Sequence, residues 1–332
     1  MFENITILDL SVPLAHQAAS EPFPADVEYI DHEQGSQQMQ KLFGMTPADL
    51  RYSQGGGWAI EKINAITHTG THVDAPYHYG PISEGSPAKR IDEVPLEWCF
   101  APGVCLDMTH LRDGDEITVS ILESALRKIE HTLKADEIVL LRTDADLRID
   151  SEEYFKQPGL GREGTLWLVE QGIRVIGIDA YTLDRPFHVM KAEFEETGDG
   201  HNIWPAHFAG ITREYCQIEK LANLHKLPSA TGFWVSCLPV KIEAASAAWC
   251  RAVALVPETS EERSNQFRGA TNDGSITADN DRAFDELGVF AKDLNPLFFG
   301  KRPFMQTEFF KQRFFFAYKL FRGNTQLANN VR

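Results

Sequence analysis

Three histidines and an aspartate fall within eleven residues in the stretch His68-Thr-Gly-Thr-His72-Val-Asp74-Ala-Pro-Tyr-His78, in a chain with 11 His among 332 residues. Neutral imidazole and carboxylate are the usual ligands of Zn²⁺, Mn²⁺ and Fe²⁺. Geometry constrains that reading. Fully extended, residues 68 and 72 would stand roughly 13 Å apart at about 3.3 Å per residue. Two ligands of one ion, each bonded at about 2 Å, cannot be that far apart. The backbone must fold back between them, and Gly70, midway, takes the positive φ such a turn needs. His72 and Asp74 are two apart and project to one side in extended chain. Pro76 then fixes φ and discourages a regular ladder before His78. The spacing therefore predicts a bent loop at a strand, with His68, His72 and Asp74 converging. The competing reading is a set of unrelated surface histidines; the positions of Gly70 and Pro76 favour convergence.

The same residues carry a resemblance. H-T-G-T-H-V-D-A-P-Y-H is similar to the signature of the family named "Putative cyclase", which includes bacterial kynurenine formamidases and isatin hydrolases. The resemblance runs over roughly residues 4 to 257, with Asp9-Leu10-Ser11 matching a D-L-S near the start. It implies an α/β chain of the swivelling β/β/α fold. It also implies that His68, His72 and Asp74 bind metal and that His78 is the general acid/base. In the formamidases a His and a Glu twelve residues later complete the site, and His207 and Glu219 have that separation. Glu214 competes with Glu219. With Asp74 bridging, His68 and His72 would hold one ion, and His207 and Glu219 a second; a single-ion site is the alternative. Zn²⁺ is expected and Mn²⁺ is close behind, since N/O ligands do not decide between them. Ser246, among small residues of the closing strands, is expected to offer a substrate-binding hydroxyl. His201 either lines the pocket or lies exposed. One departure stands out: where the family often has Arg-Thr-Gly, this chain has Arg142-Thr143-Asp144.

Several elements must position these groups. Strands are expected at Ile5–Leu10, Trp58–Ile66, Gly103–Met108, Glu137–Arg142 and Arg174–Asp179, each apolar and rich in β-branched residues. The strand from Trp58 is expected to deliver the metal loop. Helices are expected around Gln37–Leu42, over Ser120–Leu133 with a Ser120/Glu123 capping box, and over Gly164–Gln171 with Gly172 just beyond its end. Residues 212 to 222 also read as a helix, with Tyr215, Ile218 and Leu221 or Ala222 on its apolar face and Glu219 near its C-terminal end. Asp179, ending its strand, either supports a metal-binding His or caps a loop. Alternating strands and helices fit an α/β architecture.

Composition narrows the function. The formal charge of −16 argues against general nucleic-acid binding. No phosphate-cradling glycine motif and no G-x-S-x-G elbow occurs. Five cysteines in no C-x-x-C pair suggest buried thiols, and the start of the chain lacks a signal-peptide pattern, so a cytoplasmic location is expected. Residues 1–257 are expected to form the hydrolase domain. Residues 258–332 are expected to form a C-terminal extension, whose aromatic and basic run Phe304–Arg322 packs on the body or, as an oligomerisation arm of a homo-oligomer (dimer or tetramer), on a partner subunit; a membrane-surface helix is the alternative. The expected activity is metal-dependent hydrolysis of an amide, formamide, lactam or lactone in a small molecule, without nucleic-acid or membrane partners. A lyase or cyclase acting through an enolate, and a non-catalytic metal-binding protein, are the alternatives.

Overall fold

The computed structural model describes residues 5–257; the extension and its expected arm lie outside the described residues. Nine strands form one mixed sheet. They are β1 Ile5–Asp9, β2 His72–Asp74, β3 Phe100–Asp107, β4 Ile138–Arg142, β5 Val175–Ile178, β6 Cys216–Glu219, β7 Phe233–Ser236, β8 Ala247–Trp249 and β9 Val253–Pro257. Across the sheet the order is β1-β9-β7-β3-β4-β5-β6-β2-β8. The middle four, β3 to β6, run parallel, and the flanking pairs are antiparallel. Parallel strands are buried on both faces and read as continuous apolar runs, as Ile138-Val-Leu-Leu and Val175-Ile-Gly-Ile do. Alternate residues feed two apolar clusters. Val139, Leu141, Ile176 and Ile178 belong to one, and Ile138, Leu140, Val175 and Ile218 to the other.

Six helices accompany the sheet among the described residues: α1 His32–Phe43, α2 Pro76–Tyr79, α3 Val119–Lys128, α4 Arg162–Glu170, α5 Phe187–Thr197 and α6 Pro205–Thr212. Helix α3 stops earlier than its periodicity suggests, because Glu130 takes a left-handed φ of 52°. Leu133 still packs against the core, but from the loop beyond the helix. The expected capping box is absent: Thr118 is the N-cap, and its hydroxyl meets that of Ser120 at 3.0 Å. The strand read at Trp58–Ile66 is shorter, Ile60–Asn64, exposed along its length, and pairs with Asp26–Ile30 in a separate two-stranded ribbon in which Val27 and Ile30 are buried.

The largest correction concerns residues 212 to 222. They are not a helix. Helix α6 ends at Thr212, Arg213 is extended, and Cys216–Glu219 is strand β6 between β5 and β2. All four residues of β6 are buried. In a short, fully buried run, periodicity cannot separate strand from helix, and pairing on both edges decides. The consequence reaches the site. Gln217 stands opposite Asp74 and Glu219 opposite His72 across the β6–β2 ladder. Directly opposed residues share a face, so these four side chains project together. On the other edge of β2, Ala247 of β8 stands opposite Asp74, and its small side chain leaves room beside the carboxylate.

Candidate metal centre

The loop before β2 bends as the sequence requires. Gly70 has φ +69°, and its carbonyl accepts from His72 Nδ1 at 2.8 Å. That bond fixes the proton on Nδ1 and leaves the Nε2 lone pair of His72 facing the site. The turn is clamped from outside. Gly70 N donates to Glu21 Oε1 at 2.8 Å, and Lys220 Nζ pairs with the Glu21 carboxylate and donates to His68 O at 2.7 Å. Lys220 and Glu21 are both buried, so each charge depends on the other.

His68, His72, Asp74 and Glu219 converge. Asp74 Oδ1 lies 2.7 Å from His68 Nδ1 and 3.3 Å from His72 Nε2, and Glu219 Oε2 lies 3.7 Å from His72 Nε2. His72 Nε2 and Asp74 Oδ1 are fully buried and have no properly aligned hydrogen-bond partner among the described residues. Buried polar atoms are nearly always satisfied. Two orphaned lone pairs at one point, ringed by imidazole and carboxylate, have the donor chemistry of a divalent cation site. A dication there would also offset the burial of two carboxylates. Without one, burial and the Asp74 charge push the Glu219 carboxyl up, while the three histidines around Asp74 outweigh its burial and hold it well below the usual range.

His207 enters from α6. Its Nδ1 pairs with Asp184, whose carboxylate also accepts from Ala206 N at 2.7 Å. Its Nε2 lies 3.6 Å from Glu219 Oε1 and 3.9 Å from Asp74 Oδ2. Burial opposes a charge on this ring, yet Asp184 with Glu219 and Asp74 raises its pKa to about 9. Opposing them, the amide nitrogen of Gln217 points at Nε2 from 2.6 Å and needs its lone pair. Asp184 and Gln217 were both missed in the sequence. Gln217 becomes visible only once β6 is read as a strand, two residues before Glu219. Asp184 has no local signal, because it acts on a helix more than twenty residues further on.

His78 returns to the site through α2, a single turn started by Pro76. Its ring centroid lies 4.1 Å from that of His68 and 5.4 Å from that of His207. It is within ligand range of His68 and Asp74 as well as within reach of the cavity. Burial pushes its pKa down, Asp74 pulls it up, and the other three imidazoles push it down again, to about 4. It is therefore neutral at pH 7, with a lone pair to receive a proton. Helix α6 holds this corner tightly: a Cβ on Gly210 would meet the Tyr79 ring at 2.1 Å.

The cavity above these groups is about 150 Å³ and is walled by Phe23, Tyr181, Phe187 and Trp204. The Trp204 ring lies parallel to His207 at 4.4 Å, on a residue held in the left-handed region at φ 53°. The remaining candidate residues take other roles. The Ser246 hydroxyl is not set in the cavity; it meets His68 Nε2 at 3.2 Å and so orients that ring. Glu214 is turned away, paired with Lys89 at 2.6 Å. His201 is exposed and paired with Asp199. Asp179 supports no histidine: it accepts from Thr143 N, Thr143 Oγ1 and Asp144 N, which is the loop-capping role. Asp144, Asp146 and His225 form a separate group, but a bidentate pair with Arg142 already occupies Asp144.

The fold and the ligand cluster both have counterparts among known proteins. The "Putative cyclase" family model matches residues 8–185, which include His68 to His78 but not His207 or Glu219. The isatin hydrolase of Roseibium aggregatum is 29% identical over 207 residues, 58% of this chain and 72% of that one. A kynurenine formamidase of Bacillus cereus is 27% identical over 158 residues, 45% of this chain and 68% of that one. Among solved structures, an isatin hydrolase bound to the product analogue thioisatinate superposes with TM-score 0.60 at 22% identity, over 77% of this chain and 94% of that one. A potential metal-dependent hydrolase with cyclase activity gives TM-score 0.52 at 20% identity, over 77% and 100%. The chain belongs to this cyclase family.

Proposed function

We propose that this protein hydrolyses a C–N or C–O bond, an amide, formamide, lactam or lactone, in a small substrate that carries a flat apolar ring. The observation that carries the reading is the pair of orphaned atoms, His72 Nε2 and Asp74 Oδ1, beneath an aromatic-walled cavity that also holds the neutral His78. His68, His72, Asp74 and Glu219 are the residues that would hold the ion, Zn²⁺ or else Mn²⁺. A divalent cation there supplies an electrophile for the carbonyl and brings the pKa of its water to about 7.

The chain's own groups do the rest. Trp204, Phe23 and Phe187 take the ring and exclude water. His78 takes a proton at its free ring nitrogen and returns it to the departing nitrogen or oxygen, as a positioned imidazole can. The Ser246 hydroxyl and the Gly70 carbonyl hold His68 and His72 in the rotation that aims their lone pairs inward. Kynurenine formamidase and isatin hydrolase, by name, act on molecules with an aromatic ring, which supports the ring expectation here.

The test is a panel of aryl formamides, isatin-like lactams, cyclic imides and lactones, assayed with metal-loaded protein in ¹⁸O-labelled water. Hydrolysis places one labelled oxygen in the product. Turnover without label would mean a lyase or cyclase instead. No turnover on any of the four classes by protein holding its ion would refute the substrate assignment.

A further inference from the structure

The point between Asp74, His207 and Glu219, where a second ion would lie, is filled by a side chain. Gln217 is fully buried on β6. Its Nε2 lies 2.9 Å from Asp74 Oδ2, 2.6 Å from His207 Nε2 and 3.3 Å from Glu219 Oε1. An amide nitrogen offers two donors and no acceptor. Turning the amide over would set its oxygen against two carboxylate oxygens, so the nitrogen must face them. His207 is arranged to match. Its Nδ1 is bonded to Asp184, which holds the ring with Nε2 facing the Gln217 amide nitrogen. The contrast with the neighbouring point is sharp. His72 Nε2 and Asp74 Oδ1 have no properly aligned hydrogen-bond partner among the described residues, while Asp74 Oδ2, His207 Nε2 and Glu219 Oε1 all lie within 3.3 Å of the Gln217 amide nitrogen.

We propose that the Gln217 amide stands in for a second cation and makes this a one-ion centre, with His207 positioning Gln217 rather than binding metal. The inference rests on the proposed metal-dependent function. It follows from strand geometry: Gln217 is opposite Asp74 in the ladder and two residues from Glu219, so its side chain falls between the two carboxylates. A divalent ion at this point would have to displace a buried amide whose two N–H groups face the carboxylates of Asp74 and Glu219.

The test is Mn²⁺ loading of the full-length protein. Ions per chain are counted by elemental analysis, and the electron paramagnetic resonance spectrum distinguishes lone from spin-coupled ions. The parent should bind one ion per chain with an uncoupled spectrum. Gln217→Ala opens the point between Asp74, His207 and Glu219 and should bind two ions, with the spin coupling of a pair about 3.5–4 Å apart. Adding His207→Ala to that variant should return it to one. Gln217→Glu keeps the shape but replaces the donor with an acceptor, and should also bind two, which guards against misfolding of the alanine variant. Two coupled ions in the parent, or a single ion in both Gln217 variants at saturating Mn²⁺, would overturn the proposal. The parent count decides even if neither variant folds. No bound ion in the parent would refute the metal-dependent reading itself, and this inference with it.

Discussion

His78 does two things that pull in opposite directions. It must lie within reach of the orphaned atoms, and it must keep a lone pair free. The turn of α2 puts its ring against His68 and beside Trp204, on the cavity side. Burial among three other imidazoles keeps it neutral. Loss of a positioned acid/base typically costs about 10² to 10⁴ in rate. His78→Ala is therefore expected to keep its fold and its ion while kcat falls by about that factor. A metal-free variant would make His78 a ligand, and parent-rate turnover would leave it no part in proton transfer. The sequence made His68, His72, Asp74 and His78 legible because Gly70 and Pro76 announce the bends that bring them together. The partners that aim them were hidden. Ser246 reaches His68 across 178 residues of chain, and Asp184 reaches His207 from another loop. Contacts of that range leave no local pattern.

At the scale of elements, the metal loop is tied to β6 by one buried ion pair. Lys220 follows Glu219 directly, takes a left-handed φ of 58°, and links Glu21 to the His68 carbonyl. Removing one member of a buried pair strands the other, at about 3–5 kcal/mol. Lys220→Met should lose that much by urea denaturation, and adding Glu21→Gln should restore part of it; an unchanged midpoint in Lys220→Met would show the clamp to be idle. A second element effect is pH-dependent. Burial raises the Asp179 carboxyl from 3.8 to about 7, against the donors from Thr143. The folded state then binds a proton that the unfolded state releases, so this group's contribution is whole below about pH 4 and is lost as pH rises to about 7. Relative to Asp179→Asn, the parent should lose stability across that window; parallel stability curves would contradict the assignment. Elements with continuous apolar runs were legible, β4 and β5 above all. Strand β6 was not: Gln217 and Glu219 interrupt its apolar run, and only its neighbours β5 and β2 make it a strand.

At the scale of the molecule, the sheet explains why the site lies where it does. The parallel centre β3 to β6 supplies a largely buried platform, and the antiparallel addition of β2 beside β6 brings two distant stretches into register. Among the described residues no helix is long and apolar enough to cross a membrane. The family resemblance made the class of this fold legible, and the register of β2 on β6 supplies what spacing alone could not: which side chains share a face. The central claim is that this face holds an ion, and Asp74 is its hub, touching His68, His72, His207 and Gln217. The most direct measurement is elemental analysis of the purified protein and of Asp74→Ala, each saturated with Zn²⁺ or Mn²⁺ and freed of excess. The account predicts near-stoichiometric metal in the parent and almost none in a folded Asp74→Ala; full metal in the variant, or none in the parent, would contradict it.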